Sequence, residues 1–264
     1  MAQTTFSFNR SIFIDSSNLE EIKKWNATGV IDGVTTNQMI MLKDGVKPSE
    51  YETVIKNICS EMKDKPVSVE LTDSTATPEE MLTEAKRLNA LADNIVVKVP
   101  LIPDTTKSLY VVKQLAEADI AVNITTMMTY EQMIMAILAS RYCRRLSFVS
   151  IFWGRSTEDH ETYRSKPEYA TEHPKFGVES EIDADVARQV AECARFLQEG
   201  GYTNPKIIVG SIRTASQVGL AYAAGGHIPT VPPAVLEAML YSKRSIETIE
   251  AFDTAWKDLQ AQKN

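Results

Sequence analysis

Long apolar runs are missing from this sequence. The longest clean one, residues 133–139, falls far short of the roughly 20 residues a bilayer-spanning helix needs. The first six residues, Met1 to Phe6, carry neither a basic leader nor an apolar one, so no secretory signal is expected and the reading is cytoplasmic. Cysteines are few, at Cys59, Cys143 and Cys193, odd in number and widely spaced, as reduced packing residues would be. No CxxC, no HxxxH and only three histidines are present, so neither a metal nor any other cofactor is expected. An excess of positive charge is also lacking. With 28 basic against 35 acidic residues the net charge is −7, which argues against nucleic acid or an anionic membrane as partner. Any anionic ligand must then be held by a few placed cations.

Apolar residues make up 44% of the 264 and charged residues 24%, enough for a sizeable core in a globular chain. A β-rich run followed by a helical stretch recurs along the sequence. Candidate strands are residues 11–15, 33–36, 67–71, 95–99, 120–125, 146–152, 206–211 and 227–231, several nearly continuous in Val and Ile. Helix starts are marked at Thr77-Pro78-Glu79-Glu80 and, with the same capping-box spacing, at Ser17-Asn18-Leu19-Glu20. Stops fall at Gly29 and Gly200-Gly201. Eight alternating units without a Pro- or Ser-rich linker predict one (β/α)₈ barrel over residues 1–264. An open doubly wound sheet is the competitor, but no GxGxxG follows the first strand. Residues 155–183 break the rhythm and read as a lid, an interface segment or a disordered loop. Residues 245–260 read as an extra amphipathic helix with Ile246, Ile249, Phe252, Trp256 and Leu259 on one side.

Catalytic groups of such barrels sit at the C-terminal strand ends, where every second residue faces inward. Those ends carry Asp15, Thr35 with Asn37, Glu70, Lys98, Asn123 with Thr125, Ser150, and Ser211 with Arg213. For one Ser or Thr alone, the start of a loop is explanation enough. Seven polar ends among eight strands ask for more. Lys98 stands in Ile-Val-Val-Lys-Val-Pro, a run that should be covered on both faces, where lysine is rare. Apolar surroundings would disfavour its ammonium form and leave a nucleophile toward carbonyls. The plainer alternative is a lysine snorkelling to the rim beside an acid, or one merely paired with Glu70. Asp15 and Glu70 suit the proton transfers that Schiff-base chemistry needs. Arg213 follows the seventh strand and Arg155 the sixth; either alone reads as a surface ion-pair member, and together they suit a phosphate-like anion.

These segments resemble the transaldolase family, including its fructose-6-phosphate aldolase-like branch. The resemblance rests on Phe13-Ile14-Asp15-Ser16, Gly33-Val34-Thr35-Thr36-Asn37, Val67-Ser68-Val69-Glu70, Val96-Val97-Lys98-Val99-Pro100, Asn123-Ile124-Thr125, Val149 through Arg155, Ser211-Ile212-Arg213 and Thr230-Val231-Pro232-Pro233, in that order. It implies Lys98 as the Schiff-base lysine and Asp15 as the group that moves the proton at the hydroxyl beside the breaking bond. Glu70 and Thr125 would hold the water of carbinolamine dehydration. Asn37, Asn123 and Ser150 would bind dihydroxyacetone hydroxyls, with Thr35 and Phe152 in the substrate pocket, and Arg155, Ser211 and Arg213 would take the terminal anion. The partners implied are a ketose donor and an aldehyde acceptor bearing phosphate or a similar anion, in a homo-oligomer. The aldolase branch tends to carry Gln at the position of Glu70 and Tyr at that of Phe152, so this chain resembles the transferases. A lyase releasing dihydroxyacetone, a transferase for a sulfonated sugar and a non-catalytic sugar-binding barrel are the other readings. Gln38 and Ile151 depart from the prolines usual in the family beside the sugar site.

Overall fold

The computed structural model describes residues 8–102, 105–158 and 185–262. Eight parallel strands close on themselves in sequence order: β1 (Phe13–Asp15), β2 (Gly33–Thr35), β3 (Val67–Glu70), β4 (Ile95–Pro100), β5 (Val122–Met127), β6 (Phe148–Phe152), β7 (Lys206–Gly210) and β8 (Ile228–Val231). All eight runs anticipated from the sequence are strands, each within two residues of its expected bounds. The helices between them are α1 (Leu19–Ala27), α2 (Gln38–Lys43), α3 (Tyr51–Met62), α4 (Pro78–Asn89), α5 (Lys107–Glu117), α6 (Tyr130–Ser140), α7 (Trp153–Glu158), α8 (Val186–Glu199) and α9 (Ala215–Ala223). Two more follow β8, α10 (Pro233–Leu240) and the extra helix α11 (Lys243–Ala261). The fold is the expected (β/α)₈ barrel. Of the long connection, residues 155–158 belong to α7 and residues 159–184 lie outside the described residues.

The local signals explain most boundaries. Thr77 accepts a hydrogen bond from the Glu80 amide at 3.3 Å while Glu80 accepts from the Thr77 amide at 2.8 Å, closing the capping box of α4. At α1 the cap is Asn18, whose Oδ1 accepts from the amides of Glu20 and Glu21, and not Ser17. Ser17 instead gives its amide and hydroxyl hydrogens to Asp44 Oδ2, at 3.0 and 2.8 Å. Two capable residues stood side by side, and the tertiary partner claimed the first.

Alternation along the strands separates two cores. Outward-facing Ile14, Val34, Val69, Val97, Ile124, Val149, Ile151 and Val209 pack with the helices in the outer layer. Inward-facing Phe13, Val96, Ala121, Phe148, Ile208 and Ile228, with Phe8, form a separate plug inside the barrel. Phe8, Phe13 and Phe148 meet edge to face with centroids 5.5 to 6.3 Å apart, the arrangement ring quadrupoles prefer. The plug is the floor of the site. Two residues further along each strand, the same inward direction carries Asp15, Thr35, Glu70, Lys98, Asn123, Ser150, Gly210 and Thr230, from Phe13, Gly33, Ser68, Val96, Ala121, Phe148, Ile208 and Ile228. One strand period thus turns an apolar layer into a polar one.

Candidate active site

A cavity of about 640 Å³ opens above the plug, at the C-terminal ends of the strands. Lining it are all twelve residues singled out from the sequence: Asp15, Thr35, Asn37, Glu70, Lys98, Asn123, Thr125, Ser150, Phe152, Arg155, Ser211 and Arg213. Parallel pairing sets several at one height. Asp15 stands opposite Thr35, Glu70 opposite Lys98, and Lys98 opposite Asn123.

Lys98 is 4% exposed and lies inside the barrel. Its Nζ is 2.9 Å from Glu70 Oε2 and donates to the Thr36 carbonyl at 2.8 Å. The stem is covered as expected, but the head group is not in apolar surroundings: a carboxylate and a carbonyl meet it. The simple pairing with Glu70 is therefore real, and Asp15 stands outside it. Thr35 Oγ1 donates to Asp15 Oδ1 at 2.6 Å. Since that hydroxyl has a single hydrogen, its 2.5 Å contact with Thr230 makes Thr230 the donor. The chain runs Thr230 to Thr35 to Asp15. Crowding by protein atoms pushes the Asp15 carboxyl above the ordinary carboxylate range, against the pull of the Lys98 ammonium and the Thr35 hydroxyl. Two carboxyl groups share the cavity, one held by the amine and one beside it.

The opposite wall is a neutral network. Asn123 Oδ1 accepts from Ser150 Oγ at 2.6 Å, and Asn123 Nδ2 donates to Ser68 Oγ at 3.2 Å. Asn37 uses its Oδ1 to cap α2 through the Ile40 amide. Thr125 is fully buried, and its hydroxyl has no hydrogen-bond partner among the described residues. The β5–β6 register shifts between Ile124 and Met127, and Thr126 takes a left-handed φ of 62°. The extra residue lets Thr125 and Thr126 both border the cavity before Met127 returns to the outer core. A β-branched residue at positive φ is strained, and such strain gathers at working sites.

At the mouth, Arg213 reaches Glu158 Oε1 at 2.8 Å and Arg155 reaches the Met39 sulfur at 3.5 Å. Both arginines are exposed, and Arg213 is engaged by Glu158, so an anion there would have to share or displace that carboxylate. Helix α9 starts at Ala215 behind Arg213, and Thr214 gives it no side-chain cap. Gln38 donates to the Leu71 carbonyl at 2.7 Å, tying α2 to the end of β3. Ile151 is in the outer core and does not border the cavity, so its departure from the family pattern faces helices and not sugar. Thr230 was missed as a site residue, although it stands one strand period after Ile228. Met39, Lys43 and Met128 also line the cavity and lie on the loops and helices beyond the strands, where alternation gives no signal.

A closed parallel barrel with its polar residues gathered at the C-terminal strand ends, a buried lysine against a carboxylate among them, is the arrangement in which barrel enzymes carry their sites. The particular family follows from comparison. The model described as "Transaldolase/Fructose-6-phosphate aldolase" matches residues 12–264, and the chain belongs to that family. Similar relatives include a probable transaldolase of Streptococcus equi subsp. equi, 33% identical over 244 residues, covering 92% of this chain and 96% of the relative. Another, from Dehalococcoides mccartyi, is 30% identical over 250 residues and covers 94% and 99%. Among solved structures, dihydrodipicolinate synthase from Rhodopseudomonas palustris superposes with a TM-score of 0.55 at 12% identity, covering 87% of this chain and 72% of that one. A putative phosphonomutase from Burkholderia cenocepacia gives 0.52 at 12%, covering 94% and 97%. These two likenesses are of fold alone.

Proposed function

We propose that the chain is a transaldolase, moving a dihydroxyacetone unit from a ketose with a terminal anion, phosphate by default, to an aldehyde acceptor through a Schiff base on Lys98. The observation that carries this is the amine itself: buried inside the barrel, beside one carboxylate and in reach of the field of a second. Glu70 is the nearest base to relieve Lys98 of a proton, so that the lone pair can add to the ketose carbonyl. The resulting carbinolamine loses water with a proton supplied from the Glu70 side, where the buried Thr125 hydroxyl can hold that water. Asp15 then takes the proton of the hydroxyl beside the C–C bond. The bond breaks, an aldehyde leaves, and the electron pair stays on the donor fragment as an enamine. Attack of the enamine on the acceptor aldehyde and return of the Asp15 proton reverse the sequence, and hydrolysis frees Lys98.

Asn37, Asn123 and Ser150 suit the hydroxyls of the three-carbon unit. Arg155, Ser211 and Arg213 suit the anion at the open end, with Thr35 holding Asp15. Phe152 offers no hydroxyl to the cavity, which favours keeping the enamine for an acceptor over protonating it and releasing dihydroxyacetone.

Borohydride reduction in the presence of fructose 6-phosphate or dihydroxyacetone tests the reading. A stable adduct on Lys98 is expected by peptide mass spectrometry. The control is Lys98→Arg, which keeps a cation against Glu70 but has no amine able to form the imine. An adduct that persists in this variant, or none in the parent protein, refutes the assignment. Acceptor-independent release of dihydroxyacetone at full rate would make it a lyase, and preferred turnover of a sulfonated ketose would replace phosphate as the anion. We also propose that the chain assembles with copies of itself through α11, as its uncovered apolar face suggests.

A further inference from the structure

Ser211 and Arg213 lie on the segment after β7, and Arg155 on the one after β6; the residue between Phe152 and Arg155 on which these two segments meet is Gly154. Gly154 is buried, and its amide donates to the Ser211 carbonyl at 3.0 Å. Ser211 itself holds φ at 57°, a left-handed conformation costly for a residue with a side chain. The hydrogen bond from Gly154 is one of the contacts that keep the backbone there. Gly154 does not need to be glycine for its own conformation, since it sits in the first turn of α7 without a positive φ. It needs to be glycine for room. A Cβ at this position would collide with the Ser211 carbonyl oxygen and stand 2.7 Å from Arg213 Nε and 3.0 Å from its Cγ. Backbone oxygen cannot give way cheaply, and the Arg213 contacts run from Cγ to Nε of the guanidinium itself, so the guanidinium must swing.

We infer that Gly154 is a positioning residue for the anion end of the cavity, a clasp that fixes Ser211 and lays Arg213 across the β6 segment so that both arginines face one ligand. The inference rests on the proposed anion role of those residues and goes beyond it, since Gly154 itself touches no substrate. Its chemistry is that of a bare backbone contact: any side chain there moves the cation and leaves the amine alone.

The test is Gly154→Ala. Kinetics with fructose 6-phosphate should show KM raised about tenfold or more, the scale of one lost charge-assisted contact, with kcat changed far less. Borohydride trapping of dihydroxyacetone, which carries no anion, should proceed within about twofold of the parent. In an Arg213→Ala background the same glycine substitution should raise KM clearly less than it does in the parent, because only the Ser211 half of its target remains. An equal loss with both substrates, or full additivity with Arg213→Ala, overturns the clasp while leaving the lysine chemistry intact. If the parent protein traps no ketose at all, the proposed function fails first. The clasp is then judged by titrating inorganic phosphate into both proteins by calorimetry: weaker binding in Gly154→Ala upholds it, and indistinguishable titrations overturn it.

Discussion

A lysine inside a barrel is held by what surrounds its last atom, and here that is Glu70 and a carbonyl. The sequence indicated the buried position, because Lys98 interrupts a Val-rich strand, but not the partner geometry, which depends on the β3–β4 register. His227 is the opposite case. Nothing in its neighbourhood marks it in the sequence, yet burial, aided by Lys206 and Arg10, pushes its pKa down to about 4. Its Nδ1 accepts from the Ile207 amide at 3.0 Å and so must stay unprotonated. The unfolded chain, with an ordinary histidine near 6.5, binds that proton first as pH falls. Folded stability should therefore decline as pH drops from about 6.5 to about 4, by roughly 1–2 kcal/mol once partial solvent contact is allowed for. Asp15 has the other sign: burial raises its pKa above 3.8 in the fold, so it costs stability as pH rises from about 3.8 toward that raised value. Urea midpoints of the parent and of His227→Gln across pH 4 to 7.5 separate the two. The difference between the curves should shrink toward pH 4, and a constant offset would mean that His227 does not titrate in this way.

Among the elements, strand existence was legible and the contents of the cavity rim were not. Period-two alternation read outward from Phe13, Val96 and Phe148 names an inward residue at Asp15, Lys98 and Ser150, which is why most of the site is legible in the sequence. It failed where the pattern is broken, at the Thr126 irregularity, and where residues reach in from α2, as Met39 and Lys43 do. Gly33 shows how tightly the elements are fitted. A Cβ there would lie 2.6 to 2.7 Å from three ring atoms of Phe13, a side chain with no exposure and flanked by Phe8 and Phe148. The ring has nowhere to move. Gly33→Ala should cost about 1–3 kcal/mol through overpacking and lower the melting temperature by several degrees. Adding Phe13→Leu, which trims the colliding ring, should recover part of the loss made by the alanine. Strictly additive losses would place the strain elsewhere.

For the molecule as a whole, α11 is the part the barrel leaves unexplained. Its 19 residues include none that are buried, and Ile246, Ile249, Phe252, Trp256 and Leu259 are 46 to 68% exposed along one face. Leu240 and Tyr241 extend the uncovered surface at its start. The sequence announced this helix by its stripe of apolar residues, but a stripe says only that something must cover it. A helix of this length gains little from its own hydrogen bonds in water, and a continuous apolar face on a monomer favours association. The barrel closes without α11, so the helix is free to serve a neighbour; by symmetry, a second copy of the chain brings an equivalent face. Replacing Phe252 and Trp256 together by glutamate puts charge at the centre of that face without touching the cavity. Sedimentation should then shift from an oligomer to a 29.4 kDa monomer, while borohydride trapping at Lys98 persists. An unchanged oligomer would assign the contact to another surface. A parent protein that is already monomeric at micromolar concentration would refute self-association outright.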